Sequence, residues 1–364
     1  MRKKICVLIG VILGLVNPCF SITRNQVVQN ALDWEYTDNW TPQIDTVTFG
    51  TYTFQSNFRT SANNGNPPYN REAYVFGGGD SEARFIQRIN NGVCPGGRND
   101  FNATHSTKWL YKHGYRNEVP QRLAGIDCSA FASRCLEIAR TNTTGLANIS
   151  LRLSSRNDLK PGDMLNYVGN HVILVMTRPQ SGNLDTAEAT PPNVIIRRNR
   201  VMSGIGSNYL PYSPFPQFSN WFPPESPATN TNRPTIRVTI RSGRNIIAGS
   251  VTMRIDGAIA TPTLSSFNAQ TINASYTPTS DLADGTHTVY IYATNELNLE
   301  DEATHTFTID TTPPKIKKAE IFPQEKVEGT MTTMGACGYS KDYDTGNIVS
   351  RPLVRECLHL VKIT

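Results

Sequence analysis

Past the first four residues the sequence has no long run of lysine or arginine, and its 35 basic residues nearly balance 30 acidic ones, for a formal charge of +5. Three of those positive charges, Arg2, Lys3 and Lys4, fall in the first four residues, so the remainder carries only +2. That balance excludes electrostatic capture of nucleic acid. No CxxC and no paired Cys/His spacing occurs, which excludes a structural zinc site, and no motif calls for a metal or a cofactor. Apart from Ile5 to Val16 no stretch is apolar for long, and that one falls short of the ~20 residues that span a bilayer. No transmembrane segment is therefore expected once the N-terminus is removed.

What stands at the N-terminus is a basic head, the short apolar run, and Asn17-Pro18-Cys19-Phe20-Ser21 with small residues at the −3 and −1 positions. This is the pattern of a secretory signal peptide over residues 1–21. Cys19 raises a lipoprotein alternative, but Asn17 and Pro18 suit that processing poorly. The protein is expected to be secreted, periplasmic or on the cell surface. Past the signal, Cys94, Cys128, Cys135, Cys337 and Cys357 remain, an odd number for an oxidising compartment. Odd numbers suggest two bridges and one free thiol. Cys128 is the candidate for the free one. It cannot pair with Cys135 on the same helix, because seven residues span ~10 Å along the axis. Cys94–Cys135 and Cys337–Cys357 are the expected bridges.

Length alone suggests about two domains. Residues 22–203 mix signals: a helix from Arg24 to Trp34, a strand from Thr46 to Phe54, a helix from Ala132 to Arg140, then short strands over Leu165–Met176, Asp185–Ala189 and Val194–Val201. Helix first and antiparallel strands after it predicts an α+β domain with a helix packed on the sheet. Residues 22–68 could also serve as a pro-segment. Residues 204–234 are rich in Pro, Ser and Asn, with aromatics at Tyr209, Tyr212, Phe215, Phe218, Trp221 and Phe222. They read as a linker pinned across the first domain by those rings, with a substrate-contacting surface as the alternative. Residues 235–314 hold β-branched alternating runs separated by Asp256-Gly257, Asp284-Gly285 and Asn295–Asn298, the pattern of an all-β sandwich. His287 and His305 are expected on its surface. The tail, 315–364, has little periodicity.

The chemistry concentrates at Gly125-Ile126-Asp127-Cys128-Ser129-Ala130-Phe131. Asp127 and Ser129 are helix-start residues, so Cys128 falls in the first turn, where the helix dipole favours a thiolate. His171 opens the strand Val172-Ile173-Leu174-Val175 after a Gly169-Asn170 turn, at a sheet end where a side chain reaches a cleft. A cysteine on a helix facing a histidine on a strand is the layout of papain-like thiol catalysis. Glu188, on the next strand, is the candidate to orient the imidazole, with Asp185 and Asn193 as competitors. The backbone N–H of Cys128 and a neighbour would supply an oxyanion hole.

These residues resemble a known family. Gly125 to Phe131, Pro161-Gly162-Asp163 and His171-Val172 look like the signature of NlpC-type papain-like cysteine peptidases and amidases. Tyr74-Val75-Phe76-Gly77-Gly78 is similar to the segment that precedes the nucleophile there, whose tyrosine borders the active site. The resemblance covers about Tyr69 to Arg200. It implies a papain-like catalytic domain with Cys128, His171 and Glu188 as triad, Tyr74, Asp127 and Ser129 near the substrate, and hydrolysis of an amide in peptidoglycan stem peptides. Ala130 stands where the family has glycine, and the Gly78–Gly125 spacing is longer than usual. Asp284-Gly285-Thr286-His287 and Asp310-Thr311-Thr312-Pro313-Pro314 resemble bacterial immunoglobulin-like repeats. A non-enzymatic surface or adhesion protein on a degenerate scaffold, and an acyl-transferase with the same thiol, are the alternatives. Oligomeric state is not fixed by the sequence.

Overall fold

A computed structural model describes residues 21–34, 39–56, 67–97, 104–313, 339–341 and 348–350. The signal-like residues 1–20 and the expected Cys337–Cys357 bridge lie outside that set. Helix α1 (Arg24–Asp33) is capped by Thr23 and buries Val27 and Ala31. Hairpin β1 (Thr46–Phe49) and β2 (Tyr52–Gln55), helix α2 (Glu82–Asn90), β3 (Cys94–Pro95), α3 (Thr107–Lys112), α4 (Val119–Arg122) and β4 (Leu123–Ala124) follow. They build two small cores, one around Trp40, Tyr69 and Phe85 and another around Phe49, Phe54 and Leu110.

The main α+β unit comes next: α5 (Cys128–Cys135), α6 (Thr143–Asn148), and strands β5 (Leu151–Arg152), β6 (Met164–Tyr167), β7 (His171–Val175), β8 (Asn183–Thr190), β9 (Asn193–Val201) and β10 (Leu210–Ser213). The strands form one antiparallel sheet in the order β5-β10-β6-β7-β8-β9. Helix α5 lies on β7 and β8. Its Ala130, Phe131 and Cys135 meet Val172, Leu174, Ala187 and Ala189 in the largest core. The sheet's other face closes over Leu159, Leu165, Ile173, Val175 and Ile205. Strands apolar on both faces give the near-continuous run Val172–Val175 its place in the middle of the sheet.

Two sheets of four strands make the second body. One is β11-β12-β16-β15 and the other β14-β13-β17-β18, comprising β11 (Gln217–Phe222), β12 (Ile236–Arg241), β13 (Thr252–Ile255), β14 (Ala258–Ala260), β15 (Thr263–Asn268), β16 (Thr271–Tyr276), β17 (Gly285–Thr294) and β18 (Glu300–Ile309). Alternate residues of β12 and β17 (Ile236, Val238, Ile240; Val289, Ile291) point into one shared core, as expected of a sandwich. Beyond residue 309 a separate unit begins, in which β19 (Tyr339–Lys341) pairs with β20 (Ile348–Ser350).

Three sequence readings change here. Residues 204–234 are not a linker: β10 pairs with β5 and β6 in the first sheet, and β11 pairs with β12 in the sandwich. Cys94 and Cys135 are free and buried in different cores, so the expected bridge between them does not form. Burial pushes the Cys94 thiol up to about 12 and the Cys135 thiol well above its ordinary value, so both remain protonated and inert. His287 and His305 are buried, each 8% exposed. His287 bonds Asp256 (2.7 Å) and the Ala283 carbonyl, and His305 bonds the Pro223 carbonyl and stacks on Trp221, contacts that replace water.

The two bodies of residues 21–309 share side chains. Leu299, in the turn between β17 and β18, belongs to the core of the first domain with Ile22, Val27 and Ala31. Asn295 shapes that turn, accepting from the Leu297 and Leu299 amides and donating to the Pro214 carbonyl. Arg24 lies between Asp163 Oδ1 (2.7 Å) and Asp301 Oδ2 (2.9 Å), over the Phe215 ring at 4.3 Å, while Lys160 reaches Asp301 at 3.2 Å. Burial pulls the Arg24 pKa down, but the two aspartates outweigh it. Helix α1 is thus structural, which is not how a removable pro-segment is built. Removing one partner of such a buried network costs about 3–5 kcal/mol. Arg24→Ala is expected to lower the melting temperature of both bodies together, read by calorimetry as one shifted transition; two separated transitions would refute the shared network.

Candidate functional site

Helix α5 begins where two glycines let main chains touch. A Cβ on Gly78 would sit 2.4 Å from the Gly125 carbonyl oxygen, and one on Gly125 would sit 2.4 Å from that of Ala73. This contact lays residues 73–79 along 124–127, with the Val75 amide donating to the Ile126 carbonyl and the Asp127 amide to that of Gly78. Tyr74 is carried there, bridged to Ile126 and buried. Burial, then the charges of Cys128 and Asp127, push its phenol well above the ordinary value, so it stays a neutral O–H beside the sulfur.

Asp127 is the N-cap. Its Oδ1 accepts from the Ala130 amide (2.7 Å) and from Ser129 Oγ (2.9 Å), and its Oδ2 meets Arg140 Nη2 at 3.1 Å. Arg140 also donates to the Gly77 and Gly78 carbonyls. The Asp127 and Ser129 side chains both bond within the helix start. Capping leaves the first two helical amides, those of Cys128 and Ser129, without a protein partner among the described residues, as helix geometry requires. Cys128 itself is free and 7% exposed, at the positive end of the helix.

His171, the first residue of β7, faces it. Cys128 lies near enough for its thiol and its charge to raise the ring's affinity for a proton. The ring's Nε2 meets Glu188 Oε2 at 2.7 Å. Glu188 Oε1 in turn accepts from Arg197 Nε and Arg200 Nη1, both at 2.9 Å. Residues three apart on a regular strand point to opposite faces. Here Asn199 adopts φ +50°, and β9 bulges opposite Asp185 between the pairs Leu184–Arg200 and Thr186–Arg197. The bulge turns both arginines toward one carboxylate. Asp185, a sequence competitor for the orienting role, instead holds the bulge through the Asn199 amide at 2.7 Å. Asn193, the other competitor, starts β9 and bridges Ala73.

The electrostatics follow from this geometry. Burial pulls the His171 pKa down, but hydrogen bonds and charge from Cys128 and Glu188 outweigh it and carry it up to about 10. For Glu188, burial pushes up, while His171, Arg200 and Arg197 bring it down to about 2. At neutral pH the imidazole is a cation between a carboxylate and a sulfur, the arrangement that stabilises a thiolate. Arg197, Arg200, Arg140 and Tyr209 belong to this neighbourhood and escaped the sequence reading. Tyr209, one of the aromatics of residues 204–234, meets the His171 ring edge-to-face at 6.1 Å.

No family model and no curated protein matches the chain. Solved structures share only weak likeness with it. CopC from Methylosinus trichosporium OB3b is 15% identical at a TM-score of 0.21, covering 26% of this chain and 93% of that one. Dimeric latent PorU from Porphyromonas gingivalis is 15% identical at 0.22, covering 42% of this chain and 18% of its own. Titin M4 is 13% identical at 0.18, covering 27% and 95%. Likenesses of this size leave the reading of the site to its own geometry.

Proposed function

We propose that the protein is an exported cysteine hydrolase of papain-like layout that cleaves an amide bond, with peptidoglycan stem peptides as the substrate class. The observation that carries this reading is the grouping of Cys128, His171 and Glu188, in which a thiol at a helix start neighbours an imidazole held by a carboxylate at 2.7 Å. The Cys128 thiolate attacks the carbonyl carbon, and the Cys128 and Ser129 amides receive the oxyanion. His171 gives its proton to the leaving amine, freeing the product and leaving a thioester. A water that passes a proton back to His171 then attacks the thioester, releasing the acid and the thiolate. Tyr74 borders the sulfur. The resemblance to NlpC-type enzymes supports the substrate class, the signal-like N-terminus supports export, and the immunoglobulin-like sandwich fits a spacer or targeting role. A scaffold without activity would have tolerated a bridged Cys128, whereas its thiol is free.

The experiment is alkylation of the folded protein by iodoacetamide from pH 5 to 9, with labelled residues mapped by mass spectrometry. Cys128 alone should react, and its reactivity should persist below pH 7 and disappear from that range in His171→Ala. Labelling that rises only near pH 8–9, as for an ordinary thiol, would overturn the reading. Incubation with peptidoglycan fragments, with and without an added amine, then separates hydrolysis from acyl transfer.

A further inference from the structure

Between β9 and β10 the chain forms a strap, residues 202–209, with one short 3₁₀ turn at Met202–Gly204. Its ends are fixed by sheet pairing, where Leu210 opposes Asn166. Its middle is held by Ile205, buried in the core of the sheet's second face, and by one arginine. Arg156 donates from Nε to the Tyr209 carbonyl, from Nη1 to those of Met202 (3.3 Å) and Ile205 (2.9 Å), and from Nη2 to those of Gly206 (2.6 Å) and Tyr209 (2.7 Å). No acidic residue pairs with Arg156 among the described residues. Arg156 is itself placed by a capping box, in which Asp158 Oδ2 accepts from the Ser155 amide and Ser154 Oγ. Four carbonyls of one loop converging on one planar cation is a loop clamp, and the flat five-donor guanidinium suits it where an ammonium does not.

What the clamp holds is Tyr209. Its ring meets His171 at 6.1 Å and 84°, and meets Tyr167 at 5.7 Å and 65°. Tyr167 is paired directly with His171 across β6 and β7. The charged and titratable groups that face the imidazole are then Cys128 from α5, Glu188 from β8 with Arg197 and Arg200 of β9 behind it, Tyr167 from β6, and Tyr209 from the strap. This aromatic pair therefore stands beside the imidazole.

We propose that Tyr209 is the wall that keeps water from the His171–Glu188 pair, and that Arg156 is the positioning residue that clamps the strap so that it does. Burial and the Glu188 charge raise the Tyr209 phenol, which fits a neutral ring closing over the pair. Water weakens a charge pair several-fold, since attraction scales inversely with the dielectric constant. In His171 the partners already outweigh burial, the net shift being upward. Admitting water dilutes both influences and returns the imidazole toward its ordinary value.

The inference stands apart from the proposed function, and its test needs no turnover. His171 ring protons are titrated by NMR in a Cys128→Ala background, alone and with Tyr209→Ala, Tyr209→Phe or Arg156→Ala. Tyr209→Ala should lower the His171 midpoint by about one pH unit, a tenfold loss of proton affinity. Tyr209→Phe should keep it, because the ring does the shielding. Arg156→Ala should reproduce Tyr209→Ala. An unchanged midpoint in Tyr209→Ala overturns the wall, and an unchanged midpoint in folded Arg156→Ala overturns the clamp. Should Arg156→Ala fail to fold, the strap would be shown to need its clamp, and the two Tyr209 variants would still decide the wall. An inert Cys128 in the alkylation experiment would refute the hydrolase without altering these midpoints, so the two failures are distinct.

Discussion

Cys128→Ala is expected to abolish amide hydrolysis, with kcat falling on the order of 10⁵-fold or more, while the melting temperature stays nearly unchanged. Loss of a nucleophile acting within a catalytic unit removes the covalent route altogether, leaving only what binding and the oxyanion donors supply. Stability should move by about 1 kcal/mol or less. Alanine is an excellent helix former, the deleted sulfur sits at the helix start with 7% of the residue exposed, and Asp127 still caps the Ala130 amide. His171 keeps its carboxylate partner in the variant. The pair of measurements is turnover of a peptidoglycan fragment and thermal unfolding. A collapse in stability alongside activity would recast Cys128 as a packing residue.

Glu188→Gln should behave differently, harming both chemistry and fold. A neutral amide cannot anchor the imidazolium in its working orientation, and comparable exchanges of an orienting carboxylate cost about 10⁴-fold in kcat. The variant also leaves His171, Arg197 and Arg200 without the charge they surround. Breaking a buried pair costs about 3–5 kcal/mol, and the lower end applies because Arg197, 45% exposed, turns readily to water. The stability gap between wild type and variant should depend on pH. Folded His171 holds its proton to about 10 against an ordinary 6.5, so its contribution is complete below pH 6.5 and fades as pH rises toward 10. Folded Glu188 holds its charge down to about 2 against an ordinary 4.5, so its contribution is complete above pH 4.5 and fades as pH falls toward 2. The gap is therefore widest between pH 4.5 and 6.5. Urea unfolding of both proteins at pH 3.5, 5.5 and 9 checks it; a gap independent of pH would mean that the carboxylate does not hold the imidazole.

The three residues in this chain of contacts were legible because each carries a local signal. Asp127 and Ser129 mark a helix start, Gly169-Asn170 marks a strand start, and Glu188 follows at the spacing of an antiparallel neighbour. What surrounds them was not legible. Strand β10 contains Pro211, and proline argues against a strand inside a sheet; here its carbonyl accepts from the Leu153 amide at 3.0 Å and it opposes Leu165. In β11 the register slips between Ser219 and Phe222, with Asn220 at φ +53°, so Phe218 and Trp221 lose the alternation that identifies a strand. Arg197 and Arg200 converge through a bulge of the same kind. Pairing over long distances and single-residue insertions leave no periodic trace in composition. The cysteine arithmetic failed for a related reason, since counting thiols says nothing about which core each one enters.

Because α1 packs on α5 but also on Leu299, and because β10 arrives only after β9, the catalytic geometry depends on segments far apart in order of synthesis. A growing chain forms α5 and β7 before Tyr209 and the Asp301 anchor for Arg24 have been added. A nascent or prematurely terminated product ending before the last sandwich strands would carry the nucleophile without its enclosure. The surroundings of Cys128 and His171 are then completed late, near the end of residues 21–309.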